Sequence, residues 1–255
     1  DPTIYLHADI PDIQFILDPD GNEFVFISTD GGLYISYDGL EEVFNLSENG
    51  LGVSQYYSTY TARYSPYKVY AGSQDQGFQR RIDIANNIYD FEQVISGDYG
   101  HLVSPNQGES IWSVYPGFVL LYPDAANNSN GITWDFQGDG YLWLPPLMDD
   151  PEDENVVYIA GGGISGGNHL IKLTKVGNSI SAQEMSFPFN DTVTAMAYSS
   201  IDSSHWYVLT YNGTFYHSSD SGESWQVHGF NGPDSHYFYG STIHPSNQTL
   251  GKVVI

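Results

Sequence analysis

Asp9, Asp30, Asp75, Asp98 and Asp139 stand in short polar segments between apolar runs, four of them within two residues of a glycine. Two carboxyl groups about 5–10 Å apart, one protonated to assist a leaving group and one ionised, are what cleavage of a glycosidic bond requires. Distance along the chain does not set distance in space, and capping a turn is the commoner work of an aspartate next to glycine. No catalytic residue is therefore assigned. Asp9, Asp75, Asp98 and Asp139, with Asp30, are the carboxylates a fold would have to gather into one groove.

Other chemistry is weaker. The run Asp149-Asp150-Pro151-Glu152-Asp153-Glu154 puts five acids in six positions. A structural calcium is one reading, since that ion takes several oxygen ligands; a solvated acidic loop is the other, since EF-hand spacing is missing. The eight His show neither H-x-x-x-H nor H-E-x-x-H spacing, which excludes a zinc protease of that type. Gly161-Gly162-Gly163-Ile164-Ser165-Gly166-Gly167 has the glycine content of a phosphate loop without its lysine, and reads as a mobile connection between strands. Its Gly163–Gly167 portion has G-x-S-x-G spacing but lies between strand-like runs rather than opening a helix, so no nucleophile elbow is read there. No cofactor is expected.

Charge narrows the partners. Thirty-one acidic residues against seven basic ones give a formal charge of −24. Such a chain is repelled by nucleic acid and by anionic membrane surfaces. No apolar run approaches the roughly 20 residues of a membrane-spanning helix. There is no cysteine, and the chain starts at Asp1 without a basic-then-apolar leader, which reads as a removed signal peptide or a missing upstream region. Rings concentrate at Tyr56, Tyr57, Tyr60, Tyr64, Tyr67 and Tyr70, then at Trp112, Tyr115, Trp134, Tyr141 and Trp143. Flat rings stack on sugars and anchor protein interfaces, and packing between sheets is expected to absorb most of these.

The elements that must position these groups are short. Apolar runs of four to six residues, rich in Val, Ile, Tyr, Phe and Trp, alternate with Gly, Asn, Asp, Ser and Pro clusters, and no window sustains a helical period. One unit recurs: an apolar strand, an Asp/Ser-Pro turn and a second apolar strand. It is anchored near residues 19, 66, 105, 151, 200 and 245, at spacings of 47, 39, 46, 49 and 45. A period near 45 with four short strands per unit is the arithmetic of β-propeller blades; a sandwich or solenoid with evenly spaced strands is the alternative. The expected fold is all-β, a single propeller domain over 1–255 built of four-stranded antiparallel blades. About five blades are present, as a fragment of a six- to eight-bladed ring.

Ser218-Ser219-Asp220-Ser221-Gly222-Glu223-Ser224-Trp225 fits S-x-D-x-G-x-x-W, and Ser36-Tyr37-Asp38-Gly39-Leu40 is a degenerate copy. This pattern resembles the Asp-box of sialidase-like propellers, a hairpin device in which Ser218, Asp220, Gly222 and Trp225, or Ser36 and Asp38, are structural. A second resemblance runs through His7-Ala8-Asp9, Thr29 to Ser36, Leu51 to Tyr57, Gly72 to Gly77 and Gly97 to Gly100. In that order these are similar to the sortilin-like (Vps10-type) and Asp-box (BNR) repeat propellers of bacterial exported proteins, and more distantly to xyloglucanase-type glycoside hydrolases. Gln76 and Tyr99 depart from the family pattern.

The resemblance implies an exported or cell-surface setting, outer-membrane association included, further domains flanking the propeller, and a non-enzymatic binding or scaffold role with a protein or glycan partner. A glycoside hydrolase using a pair of loop carboxylates is the competing expectation. A component of a secretion or assembly machine is a third.

Overall fold

The computed structural model describes residues 6, 9–46, 54–65, 68–81, 91–127, 130–164, 167–233 and 240–255. His7, Ala8, Leu51, Pro66 and Tyr67 lie outside them. Among the described residues all regular structure is strand, in five four-stranded sheets and one of two strands.

The first sheet contains β1 (Asp12–Leu17), β2 (Glu23–Thr29), β3 (Gly32–Ser36) and β4 (Phe44–Asn45). The second contains β5 (Tyr56–Thr61), β6 (Val69–Ser73), β7 (Gly77–Arg81) and β8 (Glu92–Ile95). The third is β9 (Gly100–Val103), β10 (Ile111–Tyr115), β11 (Phe118–Tyr122) and β12 (Ile132–Asp135). The fourth is β13 (Leu147–Asp149), β14 (Val156–Ile159), β15 (Ile171–Val176) and β16 (Ser179–Glu184). The fifth is β17 (Val193–Tyr198), β18 (Trp206–Thr210), β19 (Thr214–Ser218) and β20 (Gln226–Asn231), and β21 (His244–Pro245) pairs with β22 (Val253–Val254). Every sheet is an antiparallel meander in chain order, the form of a propeller blade.

Strands β10, β11, β14 and β18 read as nearly continuous apolar runs because both faces are buried. In β14, Val157 and Ile159 join Trp112, Val114 and Leu121 of the third sheet, while Val156 and Tyr158 join Trp206, Val208 and Tyr216 of the fifth. In β18 the alternation continues, with Tyr207 and Leu209 facing Ile243 and Val253 of the last sheet. Tyr70 and Phe78 of the second sheet meet Tyr99, Leu102, Ile111 and Tyr122 of the third. The core is thus a series of layers between blades, each filled at a side-chain period of two. First strands of neighbouring sheets contact one another, β5 with β9, β9 with β13, β13 with β17 and β17 with β21, which makes them the innermost.

The recurrent turn has a physical basis in the residue after each first strand. Asp18 Oδ1 accepts the N–H groups of Asp20 and Asn22, both at 2.9 Å. Ser104 Oγ accepts Gly108 N–H at 2.7 Å, Asp150 Oδ1 accepts those of Glu152 and Asp153, and Ser199 Oγ accepts Ile201 N–H. Ser246 Oγ does the same for Gln248 and Thr249. A short polar side chain that caps its own turn is the reason Asp and Ser are favoured there. In the second sheet this position is Ala62, whose N–H closes the turn on Lys68 O at 3.0 Å. First strands end at residues 17, 61, 103, 149, 198 and 245, so the units are 44, 42, 46, 49 and 47 residues long.

The first sheet differs. Its buried residues Val25, Ile27 and Tyr34 cluster with Val43 of the same sheet, and β1 is exposed along its whole length.

Candidate functional site

A four-stranded meander puts its second turn and its link to the next sheet at one end, and its first and third turns at the other. The first end is the upper rim here, the second the lower. Asp30 (β2–β3), Asp75 (β6–β7), Asp98 (β8–β9) and Asp139 (β12–β13) all lie on the upper rim, with Asp9 ahead of β1.

Two of them meet. Asp98 Oδ1 accepts the N–H of Asp75 at 3.2 Å and the hydroxyl of Tyr57 at 3.2 Å. Asp75 O accepts Gly97 N–H at 2.8 Å, so the two connections are tied in both directions. Asp75 sits at φ 59, next to Gly77 at φ 75, where an added Cβ would run into the carbonyl of Ile95. Asp30 Oδ2 accepts Gln74 Nε2–H at 3.0 Å, which links the first sheet to the same corner. Asp139 is placed elsewhere by its backbone, which exchanges two 3.2 Å hydrogen bonds with Gly163. That pairing also fixes the connection read above as mobile at Gly163; Ser165 and Gly166 lie outside the described residues. Asp9 is exposed, at φ 39.

The upper rim has a distinctive surface. Tyr56, Trp143 and Tyr211 are exposed there. None of the seven Lys and Arg residues falls in a second turn or a sheet-to-sheet connection: Arg80, Arg81, Lys172 and Lys175 lie within β7 and β15, and Arg63, Lys68 and Lys252 at the lower rim. Tyr70, Trp112 and Trp134 are buried between sheets, while Tyr64 is exposed at the lower rim.

The lower end of the channel holds a cavity of about 490 Å³ lined by the ends of β9, β13, β17 and β21. Its apolar walls are Val103, Leu147, Met148, Met196, Ala197, Ile243 and Pro245, and its polar groups Asp149, Tyr198, Ser200, His244 and Asn247. Tyr198 donates its hydroxyl hydrogen to Asp149 Oδ2 at 3.2 Å. Burial pushes the Asp149 carboxyl up to about 6, with the Asp150 charge adding to the rise, against lowering by hydrogen bonds from its own backbone and from Tyr198. Burial, and then the Asp149 charge, raise Tyr198 well above the usual phenol range. In the sequence Asp149 is visible only as the first acid of an acidic run.

Three other acids of that run accept hydrogen bonds. Asp150 caps the turn and accepts the Tyr158 hydroxyl through Oδ2 at 2.8 Å, Asp153 Oδ1 accepts Asn155 N–H, and Glu152 Oε1 accepts the Ser203 hydroxyl. Among the described residues no three His, Cys, Asp or Glu side chains gather as a ligand set for a metal ion.

The Ser218–Trp225 hairpin joins β19 to β20. Ser218 Oγ lies 2.7 Å from Asp220 Oδ1 and accepts Gly222 N–H at 2.9 Å; Asp220 Oδ1 accepts Ser224 N–H at 2.9 Å. Hydrogen bonds from the Ser224 hydroxyl first, then from the Ser224 N–H and the Ser218 hydroxyl, pull the Asp220 carboxyl down to about 2. Trp225 Nε1–H closes the turn on Gly222 O. Ser36, Asp38, Leu40 and Glu42 make the same bonds, with Leu40 at φ 73 where the other turn has Gly222. A third such turn, missed in the sequence, is Ser104-Pro105-Asn106-Gln107-Gly108-Glu109-Ser110. Ser104 accepts Gly108 N–H, and Asn106 Oδ1 replaces the carboxylate in accepting Ser110 N–H at 2.8 Å. The signal was available: allowing Asn for Asp gives S-x-N-x-G-E-S against the S-x-D-x-G-E-S of residues 218–224.

No family model and no curated protein matches the chain. Solved structures do. An ancestral GH74 enzyme superposes with a TM-score of 0.55 at 14% identity, over 93% of this chain and 33% of that one, so the chain spans a third of that enzyme's length. A chain of a mitotic checkpoint complex aligns over 93% of this chain and 68% of its own, at 13% identity and a TM-score of 0.49. The WD40 repeats of RRP9 align over 68% and 51%, at 11% identity and a TM-score of 0.49. At these identities the likeness is one of fold, and that fold is the β-propeller.

Proposed function

We propose that this propeller is a non-catalytic binding module that meets its partner on the upper rim. The observation carrying this reading is a rim with exposed Tyr56, Trp143 and Tyr211 and without one Lys or Arg in its turns and connections. Such a surface favours a partner that brings cationic groups, because rings and carboxylates both attract them. A basic protein surface fits best, and a glycan stacked on the rings is the other occupant. Asp98 and Asp30 support the reading, since each already accepts hydrogen bonds from neighbouring connections. An exported, cell-surface setting within a longer chain belongs to the same proposal, on the strength of the sortilin-like motif order.

The adjacency of Asp75 and Asp98 beside Tyr57 is the one observation favouring a glycoside hydrolase. A single experiment separates the two. The immobilised chain is exposed to an envelope extract of its source organism, and in parallel to plant and bacterial polysaccharides assayed for cleavage. A partner retained by the wild type and lost by Trp143→Ala and Tyr211→Ala supports binding on this rim. Cleavage abolished by Asp98→Ala overturns it in favour of the hydrolase, and retention unaffected by either ring substitution overturns the location.

A further inference from the structure

The cavity at the lower end of the channel lies on the opposite rim and is independent of the reading above. It is roomy enough for a small ligand at about 490 Å³, within the ordinary size range of ligand sites. Seven of its lining residues are apolar, and all of them but Ile243, which immediately precedes β21, lie within the inner strands of four different sheets. Its polar groups converge from three strands and their turns: Asp149 on β13, Tyr198 and Ser200 from β17, His244 and Asn247 from β21. Asp149 is the one acid of the lining, and no Lys or Arg lines it.

A carboxylate in an apolar-walled recess without a cation is costly to ionise. That cost is visible here, because burial pushes the Asp149 carboxyl up to about 6 and the like charge of Asp150 adds to the rise. The hydrogen bond from Tyr198 fixes the orientation of the carboxyl without supplying charge. What the recess lacks is a positive group on an apolar stem. We propose that this cavity binds an alkylammonium or guanidinium group, free or carried as a lysine or arginine side chain, with Asp149 as its anionic anchor and Met148, Met196 and Ile243 around its stem. The ligand's charge offsets the ionisation cost that the empty recess imposes. An anion of the same shape gains nothing there, since it would place a second negative charge beside Asp149.

Methionine makes the test direct. The chain has three, Met148, Met185 and Met196; Met148 and Met196 line the cavity, and Met185 does not. The whole chain, labelled at the methionine methyls with 13C, is titrated at pH 7.5 and constant ionic strength with n-butylammonium chloride, with sodium butyrate and with N-acetyl-lysine methylamide. The expected result is a saturable shift of the Met148 and Met196 signals, with Met185 unmoved, on adding butylammonium and no shift with butyrate. Asp149→Asn weakens the binding at least tenfold, whereas Asp153→Asn, which removes an equal charge from the nearby turn, leaves it within a factor of two. Asp149→Asn keeps the shape of the carboxyl, and an unchanged near-ultraviolet circular dichroism spectrum establishes that it folds. A response to the lysine derivative assigns the cation to a partner side chain as well as to free amines; a response to butylammonium alone restricts it to free amines. Absence of a saturable shift, equal response to butyrate, or equal weakening by Asp149→Asn and Asp153→Asn overturns the proposal.

Discussion

Tyr198 reaches across the boundary between the fourth and fifth sheets and donates a hydrogen bond to Asp149 at 3.2 Å, the two residues standing at the ends of adjacent innermost strands. The contact ties β17 to β13 at the channel mouth and leaves the carboxyl in a recess where its neutral form is favoured.

The sign of the resulting pH dependence follows from the two states. In the unfolded chain Asp149 ionises near 3.8, in the folded one near 6. Between those values the folded state holds more protons, so the stabilisation is complete below about pH 4 and is lost as the pH rises through 6. A shift of about two units corresponds to roughly 3 kcal/mol. Asp149→Asn keeps an acceptor for Tyr198 and carries no charge. Urea unfolding at pH 4 and pH 7.5 should show the variant within about 0.5 kcal/mol of the wild type at the lower pH and about 2–3 kcal/mol more stable at the higher. A difference independent of pH would mean that the carboxyl is solvated in the native state.

The three hairpins of the Ser-x-Asp/Asn type predict effects of opposite sign. Ser218 is buried and accepts the Gly222 N–H at 2.9 Å. Ser218→Ala leaves that donor without its acceptor and should cost about 1–2 kcal/mol. Leu40 occupies the equivalent position in the first sheet at φ 73 with its side chain exposed. A left-handed backbone is unfavourable for leucine and free for glycine, so Leu40→Gly should raise stability by about 0.5–1 kcal/mol after the entropy of glycine is counted. Thermal unfolding of both variants checks the pair.

Both the legible and the illegible parts of the molecule have physical causes. The blades were legible because β14 and β18 bury both faces, turning each strand into an unbroken apolar run, and because a capping Asp or Ser marks the same turn in most units. The second unit slips in the sequence reading, which takes Ser65-Pro66 as its marker, because Ala62 carries no cap. Gathering of the upper-rim aspartates on one end followed from the meander, whereas the meeting of Asp75 with Asp98 depends on how two connections fold together. Asp149 was hidden because its partner Tyr198 is 49 residues away and its recess is built by four sheets. β1 was misleading in the other direction: Phe15, Ile16 and Leu17 look like any other core run, yet they are exposed.

That exposure predicts self-association. Phe15 is 63% and Leu17 68% exposed, on a strand that pairs on one side with β2 and lies at the edge of its sheet. An apolar edge strand is a template for pairing with a second chain. Light scattering of the 255-residue chain should show a mass that rises with concentration, and Phe15→Lys combined with Leu17→Lys should return it to the monomer mass at every concentration. A wild type monomeric at millimolar concentration would show that β1 is protected in solution.

His217 acts in the opposite direction to Asp149. His205 Nδ1 and His217 Nε2 are 2.8 Å apart, with the Tyr207 ring over His217 and the His228 ring 5.8 Å from it. At that distance one ring nitrogen donates a hydrogen bond to the other. Burial, and then the charges of His205 and His228, lower the His217 pKa below its ordinary 6.5. The facing groups include Asp202, whose Oδ2 is 3.8 Å from His205 Nε2. With a depressed value the unfolded chain takes up its proton first, so stability present above pH 6.5 is lost as the pH falls through the lowered native value. His217→Gln should remove the loss of stability towards acid and leave a melting temperature that rises as the pH falls from 7 to 5, the dependence of the other sign that Asp149→Asn removes in turn. The double variant should then be nearly flat across that range, and a residual slope as steep as that of either single variant would locate the pH sensitivity in other residues.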